Sequence, residues 1–98
     1  MFTGTARICL HLQGTDTLKD KRRIVKSVIG RLKSRFNVSA AEIDRLDNKR
    51  MAVIGIAVVS NDRTFTISQL ETVKNFIYND GRFYVGDVKT EVSAFEED

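Results

Sequence analysis

The chain begins with an alternation. In residues 5–13, TARICLHLQ, Ala6, Ile8, Leu10 and Leu12 fall on one side and Arg7, Cys9, His11 and Gln13 on the other. A period of two with one apolar face predicts a half-buried strand, which Gly14 ends. The period then changes. Leu18, Val25, Val28, Ile29, Leu32 and Phe36 lay an apolar stripe along a helix over 18–36. Thr17 offers its N-cap, Asp20 stands three residues later as in a capping box, and Asn37 is a tolerable stop. VSAAEIDRL, 38–46, reads as a weaker second strand and DNK, 47–49, as a turn. RMAVIGIAVVSN is apolar on both faces, the pattern of a strand in the middle of a sheet. Ile54, Ile56 and Val58 are assigned to its helix-covered face; Met51, Val53, Gly55, Ala57 and Val59 fall on the other. DRTFTISQLETVKNFIYND predicts a second helix buried through Ile67, Leu70, Val73, Phe76 and Ile77. Asn61 and Asp62 cap it, or alternatively Thr66 with Gln69, and Gly81 closes it. Residues 83–95 form the last strand, with Val88, Thr90, Val92 and Ala94 on one face.

The order β-α-β-β-α-β, with right-handed crossovers and one sheet covered by two helices, predicts an α+β fold. It is the ferredoxin-like split βαβ two-layer sandwich, with antiparallel sheet order 4-1-3-2. The span 1–98 is read as a single domain, with the acidic tail 95–98 frayed. No run of about 18 apolar residues exists to cross a membrane. The first segment, MFTGTARICLHLQG, lacks the basic and apolar regions of a secretory signal, so a cytoplasmic location is expected. A single cysteine, Cys9, and a single histidine, His11, exclude an internal disulfide and a Cys/His metal site from one chain. Both are read as sheet residues rather than as a reactive thiol and an acid–base group. No Walker loop, GxSxG or His/Glu metal pattern is present, and no cofactor or catalytic residue is expected.

Charge changes the picture more than composition does. Sixteen Lys and Arg stand against thirteen Asp and Glu, a net +3, but they are unevenly placed. Residues 17–36 carry eight basic side chains and one acidic one, Asp20, whereas residues 71–98 are mainly acidic. At about 100° per residue, Lys19, Arg22, Arg23, Lys26 and Lys33 share one flank of the first helix, and Lys19, Lys26 and Lys33 lie on a line about 20 Å long. Arg31 and Arg35 take the other flank. Lys21 points close to the apolar stripe and must snorkel or find a partner. A basic stripe with few acidic neighbours at i±4 suits a nucleic-acid backbone; its bland alternative is a solvated helix face. Stacking of bases on the open sheet is not expected, because the central open-face positions carry no aromatic residue, and Phe83 and Tyr84 lie on an edge strand.

Two other readings remain open. Met51, Val53, Ala57, Val59 and Val85 make the open sheet face apolar enough for a homodimer or a protein–protein adaptor. The loop LQGTDTLKDKR bears a superficial likeness to the phosphate loop of acylphosphatases, which share this fold, and suggests a small phosphate-ligand enzyme. Asp16 in the loop, and the lack of an Asn on the second strand, argue against it.

LKDKRRIVKSVIGRLKSRFNVSAAEID, followed by VSNDR after an apolar strand, resembles the YlxP-like proteins over nearly the whole chain. These are small bacterial proteins of ferredoxin-like fold with no established function. Their genes often lie beside those of translation initiation factor two and ribosome-binding factor A. The resemblance therefore implies a partner in translation or ribosome maturation, structured RNA or a ribosomal particle, and it carries over no catalytic residue. Val53 stands where such relatives more often have a polar residue, which favours a dimer through the open face.

Overall fold

In the computed structural model, which describes residues 1–96, the six expected elements occur in order: β1 (Phe2–Leu12), α1 (Leu18–Arg35), β2 (Ser39–Asp44), β3 (Met51–Ser60), α2 (Arg63–Tyr78) and β4 (Phe83–Ala94). All pairings are antiparallel, and the sheet order is β2-β3-β1-β4, which is 4-1-3-2 counted from the opposite edge. The α+β architecture is consistent with a ferredoxin-like βαββαβ arrangement. Of the tail expected to fray, Phe95 donates its backbone N–H to the Met1 carbonyl at 2.8 Å; residues 97 and 98 lie outside the described residues.

The core forms where the alternation places it. Ala6, Ile8, Leu10 and Leu12 of β1 and Ala52, Ile54, Ile56 and Val58 of β3 are buried against Val25, Val28 and Leu32 of α1 and Leu70, Val73 and Ile77 of α2. β1 starts three residues before its expected beginning, because Gly4 is part of the seat of α2. A Cβ at Gly4 would come 2.7 Å from Thr66 Cγ2 and 3.0 Å from Leu70 Cδ1. Thr66 is β-branched and fully buried, so it cannot swing clear. Gly4→Ala is expected to cost about 1–3 kcal/mol through overpacking, measured by urea denaturation.

Two expectations about faces and one about exposure are corrected. Ile67, expected in the buried stripe of α2, is 45% exposed, and Thr66 one position earlier takes its place in the core. Val85, expected on the open face, packs partly buried against the core. The reason is a bulge. Ile8 pairs with Val88 but Leu10 pairs with Val85, so Gly86 and Asp87 together stand opposite Cys9. One extra residue reverses the inward and outward parity of the strand. It therefore turns Phe83 and Val85 inward and leaves Tyr84 exposed beside His11. Val53, the third, points away from the helices yet is only 1% exposed. It sits on a central strand between Cys9 and Asp44 and offers no contact surface. Of the five open-face candidates, Val59 is exposed and Met51 and Ala57 are half-buried.

Candidate nucleic-acid interface

α1 is started as its sequence dictates. Thr17 Oγ1 accepts the Asp20 backbone N–H at 3.1 Å, and the Lys21 N–H bonds the Thr17 carbonyl. The first contact satisfies an N–H group that a helix start otherwise leaves free, and the second is the first hydrogen bond of the helix itself. In the loop before it, Asp16 lies 3.9 Å from Arg50, and Thr15 is buried with no hydrogen-bond partner for its hydroxyl among the described residues.

The eight basic side chains of α1 divide into three groups. Lys21 is fully buried. Its Nζ donates to the carbonyls of Arg45 (2.8 Å), Leu46 (3.1 Å) and Met51 (3.3 Å) and lies 2.9 Å from Glu42 Oε2. An ammonium has three protons, and the three carbonyls use them. The Glu42 oxygen is therefore held by charge rather than by a well-formed hydrogen bond, in accord with its lack of a hydrogen-bond partner among the described residues.

Arg31 and Arg35 form the second group and are tied to α2 and the loop after it. Their guanidinium carbons stand 5.1 and 5.2 Å from the centre of the Phe76 ring, and Arg31 also reaches Asp80 at 3.4 Å. Asp80, on a side chain only 4% exposed, receives a two-pronged grip from Arg82 at 2.6 and 2.7 Å; Arg82 also donates to Ser27 of α1. The hydrogen bonds from Arg82 hold the Asp80 carboxyl below its ordinary value against the opposing effect of burial, with the charges of Arg82 and Arg31 adding to them. The same contact raises Arg82. A carboxyl whose folded value is depressed stabilises the fold above its unfolded value, near 3.8, and loses that contribution as pH falls through the folded value. Asp80→Asn is expected to cost about 1.5–3 kcal/mol near neutral pH. Below pH 4 the gap between wild type and variant should narrow, as followed by thermal melts across pH.

Lys19, Arg22, Arg23, Lys26 and Lys33 make the third group. All five are exposed, and none enters an ion pair or side-chain hydrogen bond among the described residues. The structure thus keeps together the five residues singled out by helical spacing and separates them from the basic residues with structural work. It also adds neighbours that the wheel could not show. By gripping the carbonyls of Arg45, Leu46 and Met51, Lys21 holds the β2–β3 turn against the start of α1. That turn carries Arg45 and Lys49, both exposed and outside any ion pair among the described residues. The only hint in the sequence was the buried angle of Lys21, which demanded an acceptor without naming it.

Cys9 and His11 share the open face of the sheet, Sγ to Nε2 at 3.9 Å, with Cys9 buried. His11 leans over Gly86, where a Cβ would meet its Nε2 at 2.7 Å. At the start of α2, Asp62 is the cap and accepts the Phe65 N–H at 3.1 Å, while neither Asn61 nor Arg63 makes a side-chain bond among the described residues. Among the described residues no helix is long and apolar enough to cross a membrane.

A four-stranded antiparallel sheet backed by two helices, the first presenting an uncompensated basic flank, defines a small α+β protein of split βαβ arrangement. Residues 3–90 match the family described as "Protein of unknown function (DUF503)", and the chain belongs to that family. It is similar to the uncharacterized protein YlxP of Bacillus subtilis (strain 168), with 39% identity over 61 residues. The match covers 62% of this chain and 66% of that protein.

Proposed function

We propose that this protein is a non-enzymatic binding module that engages structured RNA, free or within a ribosomal particle, through the basic flank of α1. The observation that carries the reading is the division of labour among the basic residues. Lys21, Arg31 and Arg35 are consumed by the fold, whereas Lys19, Arg22, Arg23, Lys26 and Lys33 stand exposed without partners among the described residues. A solvated helix face ordinarily gathers opposite charges at i±4; this flank does not. Its length of about 20 Å suits several successive phosphates. Arg45 and Lys49 on the adjoining turn widen the same surface. Recognition of this kind reads backbone charge and duplex shape rather than sequence.

The test compares the affinity of wild type and a Lys19→Glu/Lys26→Glu/Lys33→Glu variant for a structured RNA over a salt series. Wild type is expected to bind with a steep salt dependence, and the variant weakly with a shallow one. Equal affinity of the two proteins, or binding that salt does not alter, would overturn the reading.

A further inference from the structure

The open face of the sheet carries a pattern that single strands do not reveal. Register places Lys89, Arg7, Gly55 and Ala41 in one row across all four strands. Two residues along, Glu91, Thr5, Ala57 and Ser39 make a second row on the same face. The rows line a shallow, mostly apolar groove of about 520 Å³. Its floor is made of small residues on β2 and β3 with the side chain of Ile43 lying over Gly55, and its charged end runs from Arg7 on β1 to Lys89 and Glu91 on β4. There the two rows have opposite signs.

We propose that this face docks a second copy of the chain, sheet to sheet, about a two-fold axis lying between the two rows. The axis runs across the strands at the level of Thr90, Ala6, Ile56 and Ala40, which are themselves one paired row. A rotation about it brings each row over the other. Lys89 then faces the second copy's Glu91, and Glu91 faces the second copy's Lys89, the reciprocal pairing that a two-fold interface requires. Stacked sheets lie about 10 Å apart, a gap that a lysine and a glutamate span between them. On β2 and β3 the facing residues are Gly55 with Ala57 and Ala41 with Ser39, and the half-exposed side chain of Ile43, which lies over Gly55, adds an apolar contact between the copies.

Three observations favour this occupant over others. Within one chain Lys89 is opposed across the strands by Arg7, a like-charge placement that is unfavourable on its own. Arg7 already has Asp44 at 3.3 Å, whereas Lys89 and Glu91 have no ion pair among the described residues. The second copy places a counter-charge directly opposite each of them. The charged rim also holds both signs, Arg7 and Lys89 in one row and Glu91 in the other, which suits a self-complementary contact better than a purely acidic or purely basic partner. Finally, four strands spaced about 4.8 Å apart, three of them ten to twelve residues long and β2 six, give a face that approaches the about 800 Å² per partner that a stable interface buries. The basic flank of α1 lies on the opposite layer, so a dimer of this kind exposes two such flanks, one on each outer side.

The experiment is a charge swap read by sedimentation and light scattering over a concentration series. Wild type is expected to dimerise. Lys89→Glu alone and Glu91→Lys alone should each weaken the dimer by at least about tenfold, since each places like charges face to face twice. The double variant Lys89→Glu/Glu91→Lys should return to near wild-type affinity, because the pairing is restored with its signs exchanged. Lys89 and Glu91 are both exposed, so folding is not at stake, and circular dichroism checks it. A wild type that stays monomeric, single variants that dimerise as well as wild type, or a double variant that fails to recover would each overturn the proposal.

Discussion

Lys21→Met is expected to destabilise the protein by about 3–5 kcal/mol, the scale for breaking a buried ion pair from one side. Methionine keeps most of the apolar stem, so lost packing contributes little. The cost lies in what is left behind. The carbonyls of Arg45, Leu46 and Met51 lose their donor, and Glu42, on a side chain 15% exposed, loses its counter-charge. The Met51 carbonyl belongs to the first residue of β3 and the other two to the turn before it, so the β2–β3 connection should loosen first, visible as faster amide exchange over residues 45–51. Adding Glu42→Gln to Lys21→Met should recover part of the loss, because the stranded carboxylate is neutralised. Urea denaturation measures both. A cost under about 1 kcal/mol would show that water or a shifted loop replaces the ammonium, and that Lys21 does not hold the turn.

Lys21 also shows where the sequence is legible and where it is not. Helical spacing alone places it near the apolar stripe and predicts that it needs a partner. The partner itself comes from residues more than twenty positions away, and no periodicity encodes a contact between a helix and a turn. The element order and the core positions of β1, β3 and α1 were readable because each is a local pattern with a regular period. Val85 was misplaced for a related reason. The bulge at Gly86 and Asp87 inserts one residue opposite Cys9, and strict alternation carried back from Val88 then gives the wrong face. Gly86 was the available signal, since a glycine inside a strand often marks a bulge. Val53 was assigned to the correct face, but a face does not determine exposure. On a central strand with neighbours on both sides, a valine can point away from the helices and still be covered. The basic flank was legible as a set because spacing of about 3.6 governs all five residues. That Arg31 and Arg35 are spent on Phe76 and Asp80 required the packing of α2.

Charge reversal on α1 should produce the largest change in function, and its size follows from counterion release. If each of Lys19, Arg22, Arg23, Lys26 and Lys33 neutralises one phosphate, log K falls against log salt with a slope of about −4.5, at roughly 0.9 per contact. Raising salt fourfold, from 50 to 200 mM, then weakens wild-type binding by about 500-fold. Lys19→Glu/Lys26→Glu/Lys33→Glu leaves Arg22 and Arg23, so the slope should drop to about −1.8 and the same salt step should cost only about twelvefold. The three new carboxylates also repel the backbone, and at low salt the variant should bind at least about 100-fold more weakly than wild type. Folding is not expected to suffer, because all three lysines are exposed and outside any ion pair among the described residues; near-native melting separates lost binding from lost structure. Arg63→Glu, an exposed charge at the start of α2, is the matched control. It changes the net charge without touching the flank and should alter affinity by only a few-fold. A loss per charge as large at Arg63 as at the three lysines would mean that RNA responds to net charge alone and that α1 is not the grip.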